Sequence, residues 1–497
     1  MEYVSTRDKS RKVSSAYAIA NGIAPDGGLY CPTSFPPLSA ADWHALAKMD
    51  YKGRSAFVLG KFLTDFSAEE LSDFAAKAYA DEKFGSADTA PIVELKDGKY
   101  LLELWHGPTC AFKDMALQML PHLLTASLKK TGETRTACIL VATSGDTGKA
   151  ALDGFADVAG TKIMVYYPEH GVSPMQKLQM TTQAGKNVEV VAIRGNFDDA
   201  QSAVKRIFTD EKTRAALDQD GLMLSSANSI NWGRLAPQIA YYISAYCDLV
   251  AKGAVAHGQP INICVPTGNF GNILAAYIAK QMGLPVNKFI CASNRNNVLT
   301  DFFKKGGNYN KNRDFFTTAS PSMDILISSN LERLLFFVSG QNDQTVRTLM
   351  AELSTAGSYT VDPDVFRVIE NDFDAGCCDD VQTAAAIKAL WEDEHYLSDT
   401  HTAVAVRVYE DYRARTKDTT PTVIASTASP FKFCRAVIEA LGGALERDDV
   451  SQLDVLAKLT GIDAPAPLAA LKGKTPRFDR VVNKEDILVT VELLRDL

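Results

Sequence analysis

The pattern of apolar and polar residues changes near residue 90. Before it, turn-forming glycines and prolines precede amphipathic helical stretches, one of which opens on Ser67 with Glu70 three residues later, a capping-box pattern. After it, helical segments alternate with short apolar runs, which are 100–104, 137–142, 162–167, 187–193, 261–265, 288–292 and 422–425. This alternation requires crossover connections and predicts an α/β fold with mainly parallel sheets and flanking helices.

The chain has 497 residues, too many for one hydrophobic core. We predict a mostly helical N-terminal domain (1–90), a large domain (91–125 and 235–497) and a smaller α/β domain (126–234) that closes over the site. Residues 300–420 show few clear strands and are predicted to be a mostly helical part of the large domain. Ligands bind beyond the carboxyl ends of parallel strands, so functional residues are expected in the loops that follow the runs.

Charge and cysteine content limit the partners and the cellular compartment that we expect for the protein. The net charge of −8 argues against a nucleic-acid partner or an anionic membrane surface. The nine cysteines are odd in number and form no C-x-x-C pair, which favours free thiols over disulfides or a metal site. The polar N-terminus does not resemble a secretory signal, and no apolar run is long enough to span a membrane. We therefore expect a soluble cytoplasmic protein.

The segment 106–114 places Lys113 directly before Asp114, a residue typical of helix starts. The positive end of a helix dipole and the apolar neighbours Ala111 and Phe112 would both lower the pKa of the lysine. A lysine with a lowered pKa is suited to forming an imine. The alternative from the residues alone is an ordinary solvated lysine.

Two further loops follow apolar runs and carry small residues. Residues 143–148 (Thr-Ser-Gly-Asp-Thr-Gly) offer backbone N–H groups and hydroxyls to an anion. They are not a Walker loop, because Thr143 stands where glycine is required and Ala150 where serine or threonine is required. A carboxylate therefore fits better than a nucleotide. Residues 266–272 contain Gly268 and Gly271 without dinucleotide spacing and suit a compact phosphate monoester. An ordinary turn remains the alternative for both.

The segment 225–234 opens a predicted helix over 235–249 and is rich in serine, asparagine, tryptophan and arginine side chains that can donate hydrogen bonds. Arg234 falls in the first helical turn, where the dipole disfavours a cation. A bound anion would remove this conflict. A polar loop with an isolated arginine is the alternative.

In this order, the segments resemble threonine synthase in the form that carries an N-terminal extension. The resemblance extends over nearly the whole chain, through 5–7, 24–30, 106–114, 144–148, 173–177, 226–234, 266–272, 401–405 and 426–433. That family has the type II (tryptophan synthase β-like) fold of pyridoxal-phosphate enzymes. Three positions depart from its usual pattern: Ser429 replaces a histidine, Phe431 an alanine and Thr400 a proline.

The resemblance implies a role for each matching residue. Lys113 would be the catalytic residue and carry pyridoxal 5′-phosphate as a Schiff base, and Thr427 would meet the pyridine nitrogen. The cofactor phosphate would be held by Gly268, Asn269, Phe270, Gly271 and Asn272. The substrate carboxylate would be received by Ser144, Gly145, Asp146 and Thr147. The substrate phosphate would be surrounded by Lys177, Asn228, Asn231 and Arg234.

The implied activity is that of a lyase in threonine biosynthesis, converting O-phospho-L-homoserine and water to L-threonine and phosphate. Two alternatives stay open: an O-phosphohomoserine phospholyase of the same fold, which releases a keto acid, and a non-catalytic pyridoxal-phosphate-binding protein. We expect a small-molecule substrate, no nucleic-acid or membrane partner, no metal, and a monomer or homodimer.

Overall fold

The N-terminal part of the chain is mainly helical, as predicted. The computed structural model describes residues 1–86, 88–143, 145–195 and 197–497. The first elements are β1 (Tyr3–Ser5), α1 (Ser15–Asn21), β2 (Tyr30–Pro32), α2 (Ala40–Leu46), α3 (Tyr51–Phe62) and α4 (Ala68–Ala78), with β1 and β2 antiparallel. The capping box of Ser67 and Glu70 is confirmed at the start of α4.

Strands and helices alternate through the next part of the chain. The elements are β3 (Ile92–Glu94), β4 (Lys99–Glu103), α5 (Asp114–Leu117), α6 (Leu120–Lys130), β5 (Thr136–Ala142), α7 (Asp146–Phe155), β6 (Thr161–Pro168), α8 (Pro174–Thr181), β7 (Val188–Arg194), α9 (Phe197–Thr209), α10 (Glu211–Gln219), β8 (Leu222–Ser225) and α11 (Trp232–Ala251). Helix α11 is buried along almost its whole length and packs against α3, α5 and the helix that follows it in sequence.

The same alternation continues to the C-terminal part. These elements are β9 (Ile261–Pro266), α12 (Gly271–Gln281), β10 (Val286–Ser293), α13 (Val298–Lys304), β11 (Asn308–Asn310), α14 (Leu331–Val338), α15 (Asp343–Thr355), β12 (Ser358–Thr360), α16 (Pro363–Asp372), β13 (Phe373–Cys377), α17 (Asp380–Glu394), α18 (Thr400–Thr416), β14 (Thr422–Ser426), α19 (Cys434–Ala440), α20 (Gln452–Thr460), α21 (Ala466–Ala469), β15 (Val481–Asn483), α22 (Ile487–Thr490) and α23 (Leu493–Asp496). All seven apolar runs are strands.

Two sheets organise the α/β part, which confirms the predicted fold class. The larger sheet has the order β13-β10-β9-β14-β4-β3 and is parallel except for the edge pair β3–β4. The smaller sheet has the order β15-β7-β6-β5-β8 and is parallel throughout. None of the described helices is both long and apolar enough to cross a membrane.

The predicted domain division needs one correction at its C-terminal end. Residues 235–497 were assigned to the large domain, but β15 pairs with β7 at the edge of the smaller sheet. Helix α22 then packs on α9, and Tyr166 shares a 2.8 Å hydrogen bond with Thr490. A three-residue strand with only partly buried side chains gives no apolar run, so the sequence pattern does not reveal it.

Parallel pairing brings the predicted functional loops to one end of each sheet. Strands β4, β9 and β14 run in the same direction, so the loops after them meet. Phe112 N–H donates to the Thr427 carbonyl at 2.8 Å, and Ala111 pairs with Ala428. The segment before Lys113 is therefore fixed against the segment after β14.

Candidate active site

A tightly packed turn holds Lys113 at the start of α5. The Asp114 carboxylate accepts hydrogen bonds from Thr109 N at 2.9 Å and from Thr109 Oγ1 at 2.7 Å. A Cβ on Gly107 would lie 2.6 Å from Asp114 Oδ2, so only glycine fits there. Lys113 is the residue immediately before the helix, as the sequence predicted.

Lys113 has a strongly lowered pKa. Its side chain is partly exposed, and its Nζ lies 4.2 Å from the centroid of the Phe112 ring. Burial of the amine and the positive charge of Arg234 lower the pKa of Lys113 to about 7. Helix α5 has only four residues, so its dipole is a minor influence and desolvation is the main physical cause.

The loop after β5 is folded around Thr143. Its Oγ1 accepts hydrogen bonds from the N–H groups of Gly145 and Gly148, both at 2.9 Å. Gly145 has φ 137°, and a Cβ there would lie 2.4 Å from the Gln176 side chain. Ser144, a predicted substrate ligand, lies outside the described residues. The loop is thus built to bring its backbone close to Gln176 in α8.

Asp146 directs its side chain toward protein cations and donors. Its Oδ1 lies 2.7 Å from Lys432 Nζ and accepts from Gln176 Nε2 at 2.9 Å. Burial is the largest single influence and would raise the pKa of Asp146, but the charges of Lys432 and Lys113 and the hydrogen bonds to the carboxylate together outweigh burial and hold the pKa well below its usual range. A carboxylate engaged in this way repels a substrate carboxylate, so only the backbone N–H of Asp146 suits the predicted role.

Lys432 is a site residue that the sequence reasoning did not select. Its side chain is fully buried in the 3-10 helix Pro430–Phe433, and its Nζ also donates to Thr109 O at 2.9 Å. The sequence feature that could have identified Lys432 is its position within the segment 426–433, which resembles the family pattern. Ser429, which replaces the family's usual histidine, accepts a hydrogen bond from Phe431 N and caps this helix. Ser429 therefore helps to place Lys432.

Ser322 connects the two sheets and was also missed. Its Oγ donates to Asp146 Oδ2 at 3.2 Å, and its carbonyl would lie 2.7 Å from a Cβ on Gly268. Its N–H donates to His401 Nε2 at 3.1 Å, while His401 Nδ1 lies 2.9 Å from Asp399 Oδ1. Because Nε2 accepts a hydrogen bond, the ring N–H of the histidine is on Nδ1 and donates a hydrogen bond to the aspartate.

The loop 266–272 leaves space that fits a phosphate group. Phe270 has a left-handed backbone with φ 65°, which turns the chain into α12. A Cβ on Gly271 would meet nothing closer than Asn330 Nδ2 at 3.6 Å. The buried Asn272 amide accepts from Tyr242 OH, but its Nδ2 has no partner among the described atoms. An open space beside a glycine and an unpaired buried donor suit a bound anion.

The backbone N–H and carbonyl of Thr427 are both hydrogen-bonded, whereas its side-chain hydroxyl has no hydrogen-bond partner among the described residues. Its N–H donates to Thr402 Oγ1 at 3.3 Å, and its carbonyl accepts from Phe112. No acceptor or donor contacts the hydroxyl within the described part of the chain. Because Phe112 precedes Lys113, the backbone of Thr427 lies beside the segment that carries the lysine.

Arg234 is a buried cation without an acidic partner in the described residues. Its guanidinium donates to Ala227 O at 3.0 Å and to Thr147 Oγ1 at 3.2 Å. Only 6% of the residue is exposed, and burial lowers the pKa of Arg234 to about 10. Buried charges are normally paired, so this guanidinium is suited to an anionic ligand.

The other residues predicted around the substrate phosphate differ in how the structure uses them. The Asn231 amide is buried and committed: its oxygen accepts from Gly233 N at 2.9 Å, and its nitrogen donates to Ile19 O at 3.0 Å. This asparagine caps α11 against α1, and the prediction that it binds phosphate is not supported by its contacts. Lys177 is exposed on α8, and Asn228 is partly exposed. Among the described residues, neither side chain has a contact that assigns it a role.

The structure combines mainly parallel sheets, a lysine of lowered pKa at a helix start and a glycine loop after a strand. This combination is typical of pyridoxal-phosphate enzymes of the type II fold. The family model for pyridoxal-phosphate dependent enzymes matches residues 90–427. Models for the threonine synthase N terminus and C-terminal region match residues 2–79 and 402–490. The chain belongs to the threonine synthase family of pyridoxal-phosphate dependent enzymes.

Individual relatives show the same affiliation. The chain is 41% identical over 457 residues to "Threonine synthase-like 1" of Homo sapiens, which covers 88% of this chain and 60% of that protein. It is 36% identical to the threonine synthase of Methylobacillus glycogenes, over 90% of this chain and 93% of that protein. The pyridoxal-phosphate-bound threonine synthase from Brucella melitensis superposes with a TM-score of 0.87 at 37% identity, covering 100% and 99% of the two chains. The chain thus spans about 60% of the length of the first relatives.

Proposed function

We propose that this chain binds pyridoxal 5′-phosphate on Lys113 and converts O-phospho-L-homoserine and water to L-threonine and phosphate. The observation that carries the proposal is Arg234, a buried cation without an acidic partner in the described residues, whose charge lowers the pKa of Lys113. The glycine loop 266–272 supplies a separate place for a phosphate. A lysine with a lowered pKa together with two candidate anion sites fits a phosphorylated cofactor and a phosphorylated amino acid.

The described residues fit the cofactor. The loop Gly268–Asn272 would hold its phosphate through backbone N–H groups and the unpaired Asn272 Nδ2. Lys113 would hold it covalently, and the Thr427 hydroxyl would meet its ring nitrogen. When bound, the cofactor withdraws electrons from an attached amino acid and so acidifies its Cα and Cβ protons.

Lys113 is suited to move protons at neutral pH. With a pKa of about 7, its amine is half neutral there and can accept a proton at Cα and later return it. This role needs no change of pH during turnover. Its setting beside the cation Arg234 favours the neutral form.

Arg234 would bind the substrate phosphate and stabilise the negative charge that grows as phosphate leaves. The backbone N–H groups of Gly145, Asp146 and Thr147 would receive the substrate carboxylate. Because Arg234 already contacts Thr147, phosphate and carboxylate recognition would be linked through one hydrogen bond. We propose that residues 126–234 close over the bound substrate and limit the entry of water.

The experiment is to incubate purified protein with pyridoxal phosphate and O-phospho-L-homoserine and to identify the products by NMR. Equal amounts of L-threonine and phosphate would support the proposal. Release of a keto acid with phosphate would favour the phospholyase instead. Cofactor binding without phosphate release would favour a non-catalytic binding protein and refute the proposal.

We also propose a cytoplasmic location and a monomeric or homodimeric state. Nine free cysteines, eight of them buried, support a reducing compartment. Size-exclusion chromatography with light scattering would measure the assembly.

A further inference from the structure

The start of α14 carries two buried polar residues that the proposed function does not use, Asn330 at the N-cap and Arg333 in the first turn. Neither is exposed to solvent. Arg333 is a buried cation, and no carboxylate lies within ion-pair distance of it in the described part of the chain. Burying an amide and a guanidinium costs free energy, so we expect both side chains to have a specific role.

Asn330 connects the two loops assigned to the two phosphates. Its backbone N–H and its Nδ2 both donate to the Asn269 carbonyl at 3.1 Å. Its Nδ2 also donates to the Ser229 carbonyl at 3.2 Å. Asn269 lies in the loop for the cofactor phosphate, and Ser229 lies in the segment for the substrate phosphate. One amide group thus bridges both loops.

Arg333 fixes this amide in place. Its Nη1 donates to Asn330 Oδ1 at 2.5 Å, its Nη2 to Ile230 O at 2.6 Å and its Nε to Tyr30 O at 3.1 Å. The guanidinium therefore sets which side of the Asn330 amide faces the loops. It also ties the substrate-phosphate segment to β2 of the N-terminal part.

The hydrogen bonds to carbonyls determine where the neighbouring N–H groups point. In a planar trans peptide, the C=O of one residue and the N–H of the next point in opposite directions. Holding the Asn269 carbonyl directs the Phe270 N–H away from Asn330, and holding the Ser229 carbonyl does the same for Ile230. Asn330 is at the N-cap position of α14, yet its side chain does not cap that helix. Its side chain is committed to the loops instead.

We propose that Asn330, held by Arg333, is a positioning residue that orients the backbone N–H groups of both phosphate-binding loops and so couples cofactor retention to substrate-phosphate recognition. The inference rests on the proposed function for the assignment of the two phosphates.

The test compares Asn330→Ala and Asn330→Asp with the wild type. The aspartate keeps the acceptor for Arg333 and removes the Nδ2 donor to both loops, while the backbone N–H of residue 330 still donates to the Asn269 carbonyl, so it carries the test where the alanine variant does not fold. The first readout is the dissociation constant of pyridoxal phosphate from the apoenzyme, by equilibrium dialysis. The second is the affinity of the holoenzyme for inorganic phosphate, from the rise of the thermal midpoint with phosphate concentration.

Asn262→Ala is the matched control. Asn262 is equally buried, and its amide donates to Asp418 at 2.9 Å and accepts from Asn287 at 3.0 Å. It lies at the start of β9, whereas the cofactor loop follows the end of that strand. It therefore reports the loss of a buried amide without any contact to the phosphate loops.

Asn330→Ala is expected to weaken each affinity by about 3- to 10-fold, as for neutral hydrogen bonds, and Asn330→Asp by at least as much because its carboxylate would face the two carbonyls, while the control changes neither. A change in only one affinity, no change in either, or equal changes in the control would overturn the coupling. Wild-type protein that does not bind pyridoxal phosphate would overturn the proposed function as well, which distinguishes the two failures.

Discussion

Replacement of Lys432 by methionine tests the electrostatics of the site. In the wild type, Lys432 Nζ lies 2.7 Å from Asp146 Oδ1, and the side chains are 0% and 5% exposed. The methionine fills most of the volume of the lysine but leaves the buried Asp146 charge with hydrogen bonds from Gln176 and Ser322, the longer-range charge of Lys113, and no described cation within ion-pair distance. A buried carboxylate without its cation is strongly destabilising.

The expected loss of unfolding free energy is about 3–5 kcal/mol, the range found when one partner of a buried pair is removed. This is a large part of the roughly 5–15 kcal/mol that stabilises a typical protein. The double variant Lys432→Met with Asp146→Asn removes the charge as well and keeps an oxygen for Gln176. The double variant should be more stable than Lys432→Met, although the sum of the free-energy losses of the two single variants would predict that it is less stable.

The same change should alter the titration of Lys113. In the wild type, Lys432 lowers the pKa of Lys113 and Asp146 raises it. Removal of Lys432 eliminates a lowering influence and leaves Asp146 free to act on Lys113, so the pKa of Lys113 moves above about 7. Only the neutral amine captures the cofactor, so the midpoint of cofactor capture should move to higher pH.

The assays are the urea midpoint of unfolding and the initial rate of cofactor capture between about pH 5.5 and pH 9, followed by the absorbance of the bound cofactor. Lys472→Met removes the exposed pair with Asp454 and serves as the control, with a loss under about 1 kcal/mol and no pH shift. A Lys432→Met variant that matches this control in both assays would refute the reasoning.

Three further predictions concern the ligand contacts. Lys113→Ala should abolish the visible band of the bound cofactor, and an unchanged spectrum would contradict the covalent link. Gly271→Ala should fold normally but bind the cofactor more weakly. Gly268→Ala should lower the thermal midpoint because its Cβ would lie 2.7 Å from Ser322 O. Cofactor titration and thermal unfolding distinguish the two variants. Arg234→Ala should keep the cofactor band but lose about 10- to 150-fold in kcat/KM for O-phospho-L-homoserine, with a much smaller change for unphosphorylated homoserine; loss of the cofactor with retained turnover would mean that the two phosphate sites were assigned the wrong way round.

The sequence predicts best what depends on local pattern. The apolar runs gave seven strands because strands buried on both faces read as continuous hydrophobic segments. The helix start at Asp114 follows from side-chain chemistry next to Lys113. The short strand β15 was missed because its pairing depends on β7, far away in the chain.

Roles that depend on distant contacts could not be read from the sequence. Asn231 has the residue type expected of a phosphate ligand, but its amide bonds to Ile19 O, more than two hundred positions away. Lys432 resembles any lysine until its Nζ is seen beside Asp146. Desolvation, the main cause of the lowered pKa of Lys113, likewise arises only when the sheets come together.

The position of β15 has a consequence for synthesis of the chain. Strands β5–β8 are complete once residue 225 has been made, but the edge of β7 stays unpaired until residues 481–483 emerge. During that interval the large sheet can form while an open strand edge of the smaller sheet remains available to other chains. The newly made protein is therefore prone to aggregate from the completion of β8 until β15 emerges, and truncation before β15 would make that vulnerable state permanent.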